Sequence, residues 1–249
     1  MTRCLLALGL ELALFSFPVV AQDSWLDLGL GGRPLAQGGA VTATVEGPEA
    51  VAWNPAGLAD SDGLILLVGL APVSDLGTAW LGGLSWGRNG WGVGIAGELD
   101  GITSFYTAGI GLRFSELIAL GLAVHRLSAA EEVQGVDLGV LMRLLGLRLG
   151  LNFVNLIHDP GLTPRTRAGL RVDLSRVTVT GELDFREGGP WGWGFGAEVR
   201  LLQPFVLILG LADWGGGLGL GFASERLGIT FAFVRASAEG WFLSTAIRI

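Results

Sequence analysis

Two histidines, His125 and His158, are the only imidazoles in the chain. His158 stands beside Asp159 in an expected loop, and His125 lies near the end of an expected strand on its inward parity. A Ser–His–Asp hydrolase would need a serine within hydrogen-bond reach of one of them, and a metal centre would need carboxylates and imidazoles at ligand spacing. The sequence indicates neither, so the reading is of a non-enzymatic protein without catalytic residues, metal or cofactor. Gly31, Gly32, Gly38 and Gly39 suggest a phosphate cradle, but no lysine and no following helical pattern supports one. The remaining candidate chemistry is ionic. Arg143, Arg148, Arg167, Arg171, Arg186 and Arg200 share one alternation parity with Asp137, Asp173, Glu182, Asp184 and Glu198. Such a set either forms an ion-pair network that stiffens neighbouring strands, or makes a polar track on which a ligand carboxylate meets guanidinium forks.

The elements that position these charges follow from composition. The 249-residue chain holds 42 glycines and nine tryptophans, is 50% hydrophobic and only 16% charged, and has a mean hydropathy of +0.55. Ordinary soluble domains have about 7% glycine and about 25% charged residues. Disorder is excluded by the apolar and aromatic content, and collagen by the irregular glycine spacing. The net charge is −7 and every basic residue is arginine. No basic run exists, so no nucleic-acid partner is expected. A spanning helix needs about 20 consecutive apolar residues. After residue 22 there is none; the longest candidate, 201–212, is broken by Gln203 and Pro204. The other structure that satisfies its backbone within lipid is a closed β-barrel. The start of the chain agrees. Arg3, an apolar stretch over 5–20 interrupted by Glu11, and small residues Val19 and Ala21 before Gln22 read as a secretory signal over 1–21. The single Cys4 lies inside it, which leaves the mature chain without thiols.

From residue 63 to 249 the apolar period is two, the mark of strands with one apolar face. Trp191, Trp193, Phe195, Ala197 and Val199 alternate with Gly192, Gly194, Gly196, Glu198 and Arg200. Marking each run between turn residues gives fourteen strands, starting near 63, 76, 91, 102, 116, 134, 147, 165, 176, 190, 204, 215, 226 and 238. The even count and the run lengths suit a bacterial outer-membrane barrel. The longest connections, around 128–134 and 157–164, are both odd-numbered and therefore external if the N-terminus is periplasmic, while the short turns near 114–116, 174–176 and 202–204 are even-numbered. A soluble β-sandwich also alternates, but its polar parity faces water; here that parity is largely glycine, alanine and threonine with scattered charges. Trp80, Trp86, Trp91, Tyr106, Trp191, Trp193 and Trp241 fall on outward parities near strand ends, the place of an interfacial aromatic girdle. Two strands, 64–70 and 205–211, are apolar on both faces. They put Ile65, Leu67, Val206 and Ile208 on the inner wall, where something apolar either packs on them or passes along them.

Residues 22–62 do not alternate, and their glycines and prolines indicate tight turns with close backbone approach. Arg33, Gly38 and Gly39 lie in the run 31–40, followed by an acidic spacer through Glu46, Pro48 and Glu49 and then Ala52, Trp53, Asn54, Pro55, Ala56, Gly57 and Leu58. This pattern resembles the N-terminal signature of the FadL/PorV superfamily of outer-membrane barrels. The resemblance implies an all-β transmembrane antiparallel barrel of about 14 strands with an N-terminal plug or hatch over 22–62, whose Asn54–Pro55–Ala56 element sits inside the barrel. It further implies two functions. One is a conduit for hydrophobic, fatty-acid-like small molecules. The other is a sealed barrel that partners an envelope protein-secretion machinery. Members of the superfamily are usually longer, chiefly in the external loops. The greasy inner wall ranks the conduit first. Two substitutions follow from the face assignment: Leu149→Arg, on the lipid side, should cost about 2–4 kcal/mol near the midplane, and Gly150→Ser, pointing inward, should cost less unless residues 22–62 pack there.

Overall fold

Alternation becomes strand structure along nearly the whole chain after residue 62. The computed structural model describes residues 31–73, 77–99, 103–128, 132–235 and 239–249. The expected signal over 1–21, its cleavage site and residues 22–30 lie outside the described residues. The strands are β1 (Gly63–Val73), β2 (Gly77–Arg88), β3 (Trp91–Leu99), β4 (Ser104–Arg113), β5 (Ile118–Ser128), β6 (Glu132–Leu144) and β7 (Leu147–His158), then β8 (Arg165–Leu174), β9 (Val177–Arg186), β10 (Gly192–Leu202), β11 (Phe205–Ala212), β12 (Gly215–Ala223), β13 (Leu227–Arg235) and β14 (Glu239–Arg248). Each is antiparallel to the next, and β1 closes the ring on β14 with Ile65 opposite Arg248 and Leu70 opposite Leu243. Closure leaves no unpaired sheet edge, which is the condition for crossing lipid with strands. No helix among the described residues is long and apolar enough to cross a membrane.

The two faces decide between a soluble and a membrane barrel. In β3 exposure alternates residue by residue: Trp91, Val93 and Ile95 are exposed while Gly92, Gly94 and Ala96 are buried. The exposed parity is thus the apolar one, and the same holds for Leu84, Ile110, Leu122, Leu209, Leu218 and Phe231 on other strands. A soluble sheet turns these residues inward; a lipid-facing one turns them out. Of the girdle aromatics, Trp80, Trp86, Trp91, Tyr106, Trp191 and Trp241 are exposed, and Trp193 is half-buried on the same face. We call the end carrying the odd-numbered connections the upper end, and the end carrying β1's start and the last residue the lower end.

One connection differs from the sequence expectation. The fifth is only 129–131, because β5 runs through Ser128 and β6 begins at Glu132. Pairing of Ser128 with Glu132 and of Arg126 with Gln134 extends the ladder, and an Arg126–Glu132 ion pair spans it. The longest connections are 159–164 and 187–191, both at the upper end.

Ahead of the barrel, α1 (Gly32–Ala36), a 3-10 turn (Gly47–Glu49), α2 (Ala50–Trp53) and a 3-10 helix (Pro55–Asp60) pack against inward-facing residues of strands around the ring. Their approach is so close that glycine is required opposite them. A Cβ on Gly121 would lie 2.2 Å from the Ala56 nitrogen, and one on Gly210 would lie 2.1 Å from the Gly38 nitrogen. Gly38 itself sits at φ +66°, and its own Cβ would meet the Leu211 backbone at 2.8 Å.

The same geometry reverses the expected ranking at residues 149 and 150. A Gly150 Cβ would lie 2.2 Å from the Thr42 carbonyl oxygen, backbone that cannot swing aside. Leu149 is exposed but lies two residues from the lower end of β7, where a lipid-facing arginine costs only about 0–1 kcal/mol. Gly150→Ser should therefore lower the folded fraction, read by heat-modifiable gel mobility, more than Leu149→Arg does. The opposite order would mean that residues 42–43 do not seat on β7.

Candidate functional site

The lumen holds three layers of contact between residues 31–62 and the wall. At the lower end Asp60, at the close of the 3-10 helix, takes Arg113 at 2.7 Å and is also bound by Arg143 and Arg148. Arg148 reaches Glu46 as well, at 3.2 Å. Burial alone would raise the Asp60 carboxyl, but the charge of Arg148, the hydrogen bond from Arg113 and the charge and hydrogen bond of Arg143 outweigh it and hold it below the usual carboxylate range.

In the middle layer the fully buried Asn54 caps the 3-10 helix. Its Oδ1 accepts from the Ala56 N–H at 3.2 Å, while Nδ2 donates to the Thr42 carbonyl at 2.7 Å and the Val140 carbonyl of β6 at 3.2 Å. Pro55 begins that helix, where its missing N–H costs nothing. Asn152 of β7 donates to the Trp53 carbonyl at 2.9 Å. The Ala56–Gly57 turn is buried, and a Cβ at Gly57 would strike the Val45 carbonyl. On the opposite wall Arg33 binds Glu198 with two hydrogen bonds, 2.6 and 2.9 Å. Leu35 and Ala36 of α1 cover Ile208, with Val206 against the same cluster.

This placement bears on the two readings of the apolar wall. Ile208 is buried under Leu35 and Ala36, Val206 packs partly buried against the same cluster, and Ile65 is itself buried, so these three do not border an open passage. The sequence offered both outcomes, and packing is the one realised.

In the upper layer Arg167 stacks over the Trp53 ring at 4.7 Å, a cation–π contact. Gly39 also lies against that ring. Glu182 accepts from the backbone N–H groups of Val41 and Thr42, both at 2.9 Å. Asp184 is gripped by Arg165, whose Nε lies 2.6 and 2.7 Å from its two oxygens, with Arg186 at 3.6 Å. Above this layer opens a cavity of about 540 Å³. Ala52 lines it below and residues 161–163 and 187–190 line it at the upper end; Glu98, His125, Asp137, Asn155, Arg165, Arg167 and Arg186 share its wall with Phe105, Leu127, Val154 and Leu162. His125 Nε2 meets Asn155 Oδ1 at 2.8 Å, and Asn155 Nδ2 donates to the Thr163 carbonyl, which fixes the amide and makes Nε2 the donor. The other ring nitrogen faces Asp137 at 3.4 Å, an ion-pair separation.

The inward charges therefore gather in two groups instead of one track. Arg143 and Arg148 meet at the lower end, and Arg167, Glu182, Asp184 and Asp137 at the upper. Arg171 binds Asp173 on its own strand at 3.0 Å, and Arg200 is exposed near the lower end of β10. Parity alone missed Asn155, which sits at φ +59° where β7 slips register against β6, a bulge that turns an outward position inward. It also missed Asp60, Glu46, Arg113, Arg165 and Glu98. An excess of inward arginine facing an acidic N-terminal segment was the available signal for the first three.

A pH effect arises at Glu49. Burial raises its carboxyl to about 7, against the pull of Arg33 and with the push of Glu198. A carboxyl raised in the folded state disfavours folding once it ionises, so its contribution is most favourable below the usual pKa near 4.5 and is lost as pH rises through about 7. Trp53 fluorescence and protease resistance of residues 31–62 should report a tighter segment at pH 5 than at pH 8, and Glu49→Gln should remove the difference. A Glu49→Gln protein with the same pH response would place the titration elsewhere.

An apolar concavity of about 880 Å³ is lined mainly by lipid-facing residues of β1–β5, including Leu84, Ile95, Tyr106 and Val124, over a floor that includes Gly82, Gly97 and Ala108. It belongs to the outer surface more than to the lumen.

No protein-family model matches the sequence, and no curated protein is detectably similar to it. Solved structures are similar in fold. The toluene transporter TodX of P. putida aligns with a TM-score of 0.68 at 10% identity, covering 89% of this chain and 99% of that one. The CymD monoaromatic hydrocarbon channel aligns at 0.64 and 12% identity, covering 93% and 97%. The outer membrane protein Omp33 of Acinetobacter baumannii aligns at 0.58 and 9% identity, covering 76% and 98%. The architecture is thus that of outer-membrane β-barrels.

Proposed function

We propose that this chain is an outer-membrane channel for small hydrophobic molecules, entered from the upper end and gated by residues 22–62 acting as a hatch, with residues 1–21 as a cleaved leader. One observation carries the reading: a 540 Å³ cavity opens among the upper connections and ends on the N-terminal segment at Ala52. A lumen open at one end and stopped by a segment tied down through side chains has the form of a gated entry. The apolar residues Phe105, Leu127, Val154 and Leu162 give a small hydrophobe partial contact there. The fold it shares with a toluene transporter and a monoaromatic hydrocarbon channel agrees with this substrate class. In this orientation the upper end is external, the lower end is periplasmic, and membrane lipid surrounds the apolar belt.

The test is uptake. Cells lacking other hydrophobe channels and expressing the protein should take up radiolabelled toluene or a fluorescent fatty acid faster than cells with the empty vector. Filling the cavity with Ala52→Trp should slow uptake at equal surface abundance. Uptake equal to the vector control for both probes would reject the conduit.

A further inference from the structure

Asp60 gathers more positive charge than it neutralises. Arg113 from the end of β4, Arg143 from the end of β6 and Arg148 from the start of β7 all place guanidinium groups on its carboxylate. Glu46 is the second carboxylate in the cluster, and its side chain is 43% exposed. Three cations thus face two anions, one of them largely hydrated. Two guanidinium nitrogens, Nη1 of Arg143 and Nε of Arg148, are shut off from solvent and have no hydrogen-bond partner. A buried donor left unsatisfied costs about 1–3 kcal/mol, more when it is charged, so these two nitrogens call for a partner from outside the protein, a water, an ion or a ligand oxygen. Arg113 and Arg143 keep about a third of their side chains exposed, 32% and 27%, so the cluster is open toward the lower mouth.

We propose that Arg113, Arg143 and Arg148 form a binding site for a soluble oxyanion, a carboxylate or phosphate group that enters from the lower mouth and shares the guanidiniums with Asp60. Guanidinium forks match the geometry of both groups and bind them by paired, charge-assisted hydrogen bonds. All three arginines stand on the lumen parity of their strands, so a lipid headgroup outside the wall does not reach them. The anion comes from the aqueous mouth. Because Asp60 ends the N-terminal segment, an anion that takes up part of these guanidiniums weakens the segment's lower anchor. The site stands on side-chain geometry alone and does not depend on the conduit reading.

Inorganic phosphate is the probe. With purified full-length protein in detergent, at constant ionic strength, titration calorimetry should show saturable one-site binding when phosphate replaces chloride. Glu46→Gln removes an exposed competitor for Arg148 and should tighten binding several-fold. Asp60→Asn should tighten it tenfold or more, Arg143→Gln should weaken it by at least as much, and Arg200→Gln should leave it unchanged. A purely structural Asp60 cluster predicts the reverse for Asp60→Asn, loss of stability without any gain in anion binding. No saturable heat in the parent protein and in Glu46→Gln would overturn the proposal, as would binding undiminished in Arg143→Gln. If Asp60→Asn does not fold, Glu46→Gln decides: unchanged affinity there rejects the site.

Discussion

Removal of residues 23–60 should turn a nearly silent barrel into a large, steady pore in planar bilayers. The reason is volume. Barrel diameter grows with strand number, and a barrel of this size leaves a lumen that side chains alone fill only when they are large. Here the inner face is built from small residues. Where Gly194, Gly196, Gly217 and Gly219 face inward, the nearest atoms beyond the wall belong largely to residues 35–40 of the N-terminal segment. Without that segment no other described residues occupy the centre, and conductance should rise on the order of tenfold or more over the intact protein. The strand ladder remains complete from β1 to β14, since closure uses no residue before Gly63. If the shortened protein folds and conducts no better than the intact one, residues 31–62 do not obstruct the lumen and the gated-channel reading fails with them.

Asn54→Ala should give conductance between those two limits, in brief openings instead of a steady level. The asparagine is fully buried and makes three hydrogen bonds: to the Ala56 N–H, the Thr42 carbonyl and the Val140 carbonyl. Alanine strands all three partners at about 1–3 kcal/mol for each one that water does not reach. A loss of that size lies within reach of the closed-to-open balance of a small packed segment, while Arg33–Glu198 and the Asp60 cluster still hold its two ends. Flickering is the behaviour of a middle that lets go while the ends remain tied. Unchanged silence would show a locked seal whose closure does not rest on Asn54. Conductance as steady as in the deletion would show that Asn54 alone keeps the segment seated.

The strand pattern was legible because a lipid-facing barrel writes it plainly. Side chains alternate between lipid and lumen, so a period of two runs from residue 63 to the end, and turn residues mark each reversal. The fifth connection was misread because polar residues such as Glu132 and Gln134 look like loop in sequence, although cross-strand pairing holds them in the ladder above the apolar belt. Asn155 was hidden for a different reason. Parity counting assumes an unbroken register, and the bulge in β7, where four residues span two of β6, turns Asn155 inward against the parity that the strand keeps on either side of it.

Local pattern was enough for the closed fourteen-stranded barrel, its outward apolar face and the inward set of arginines and carboxylates. Each is dictated by alternation along the chain and by the need to satisfy every backbone group within lipid. A resemblance over the run 31–58, where alternation is absent, singled out Asn54, Pro55 and Ala56. Which charges meet was settled by the closed ring alone. Asp60 is 53 residues from Arg113 and 83 from Arg143 along the chain, and no local pattern relates a segment to the strands that surround it. The packing of α1 on Ile208, the close approach that demands glycine at 121, 150 and 210, and the upper cavity beneath the connections likewise arise only once the ring closes and residues 31–62 lie within it. Contacts across a closed lumen depend on which strand stands opposite which segment, and that is fixed by the geometry of the whole ring rather than by any run of neighbours in the chain.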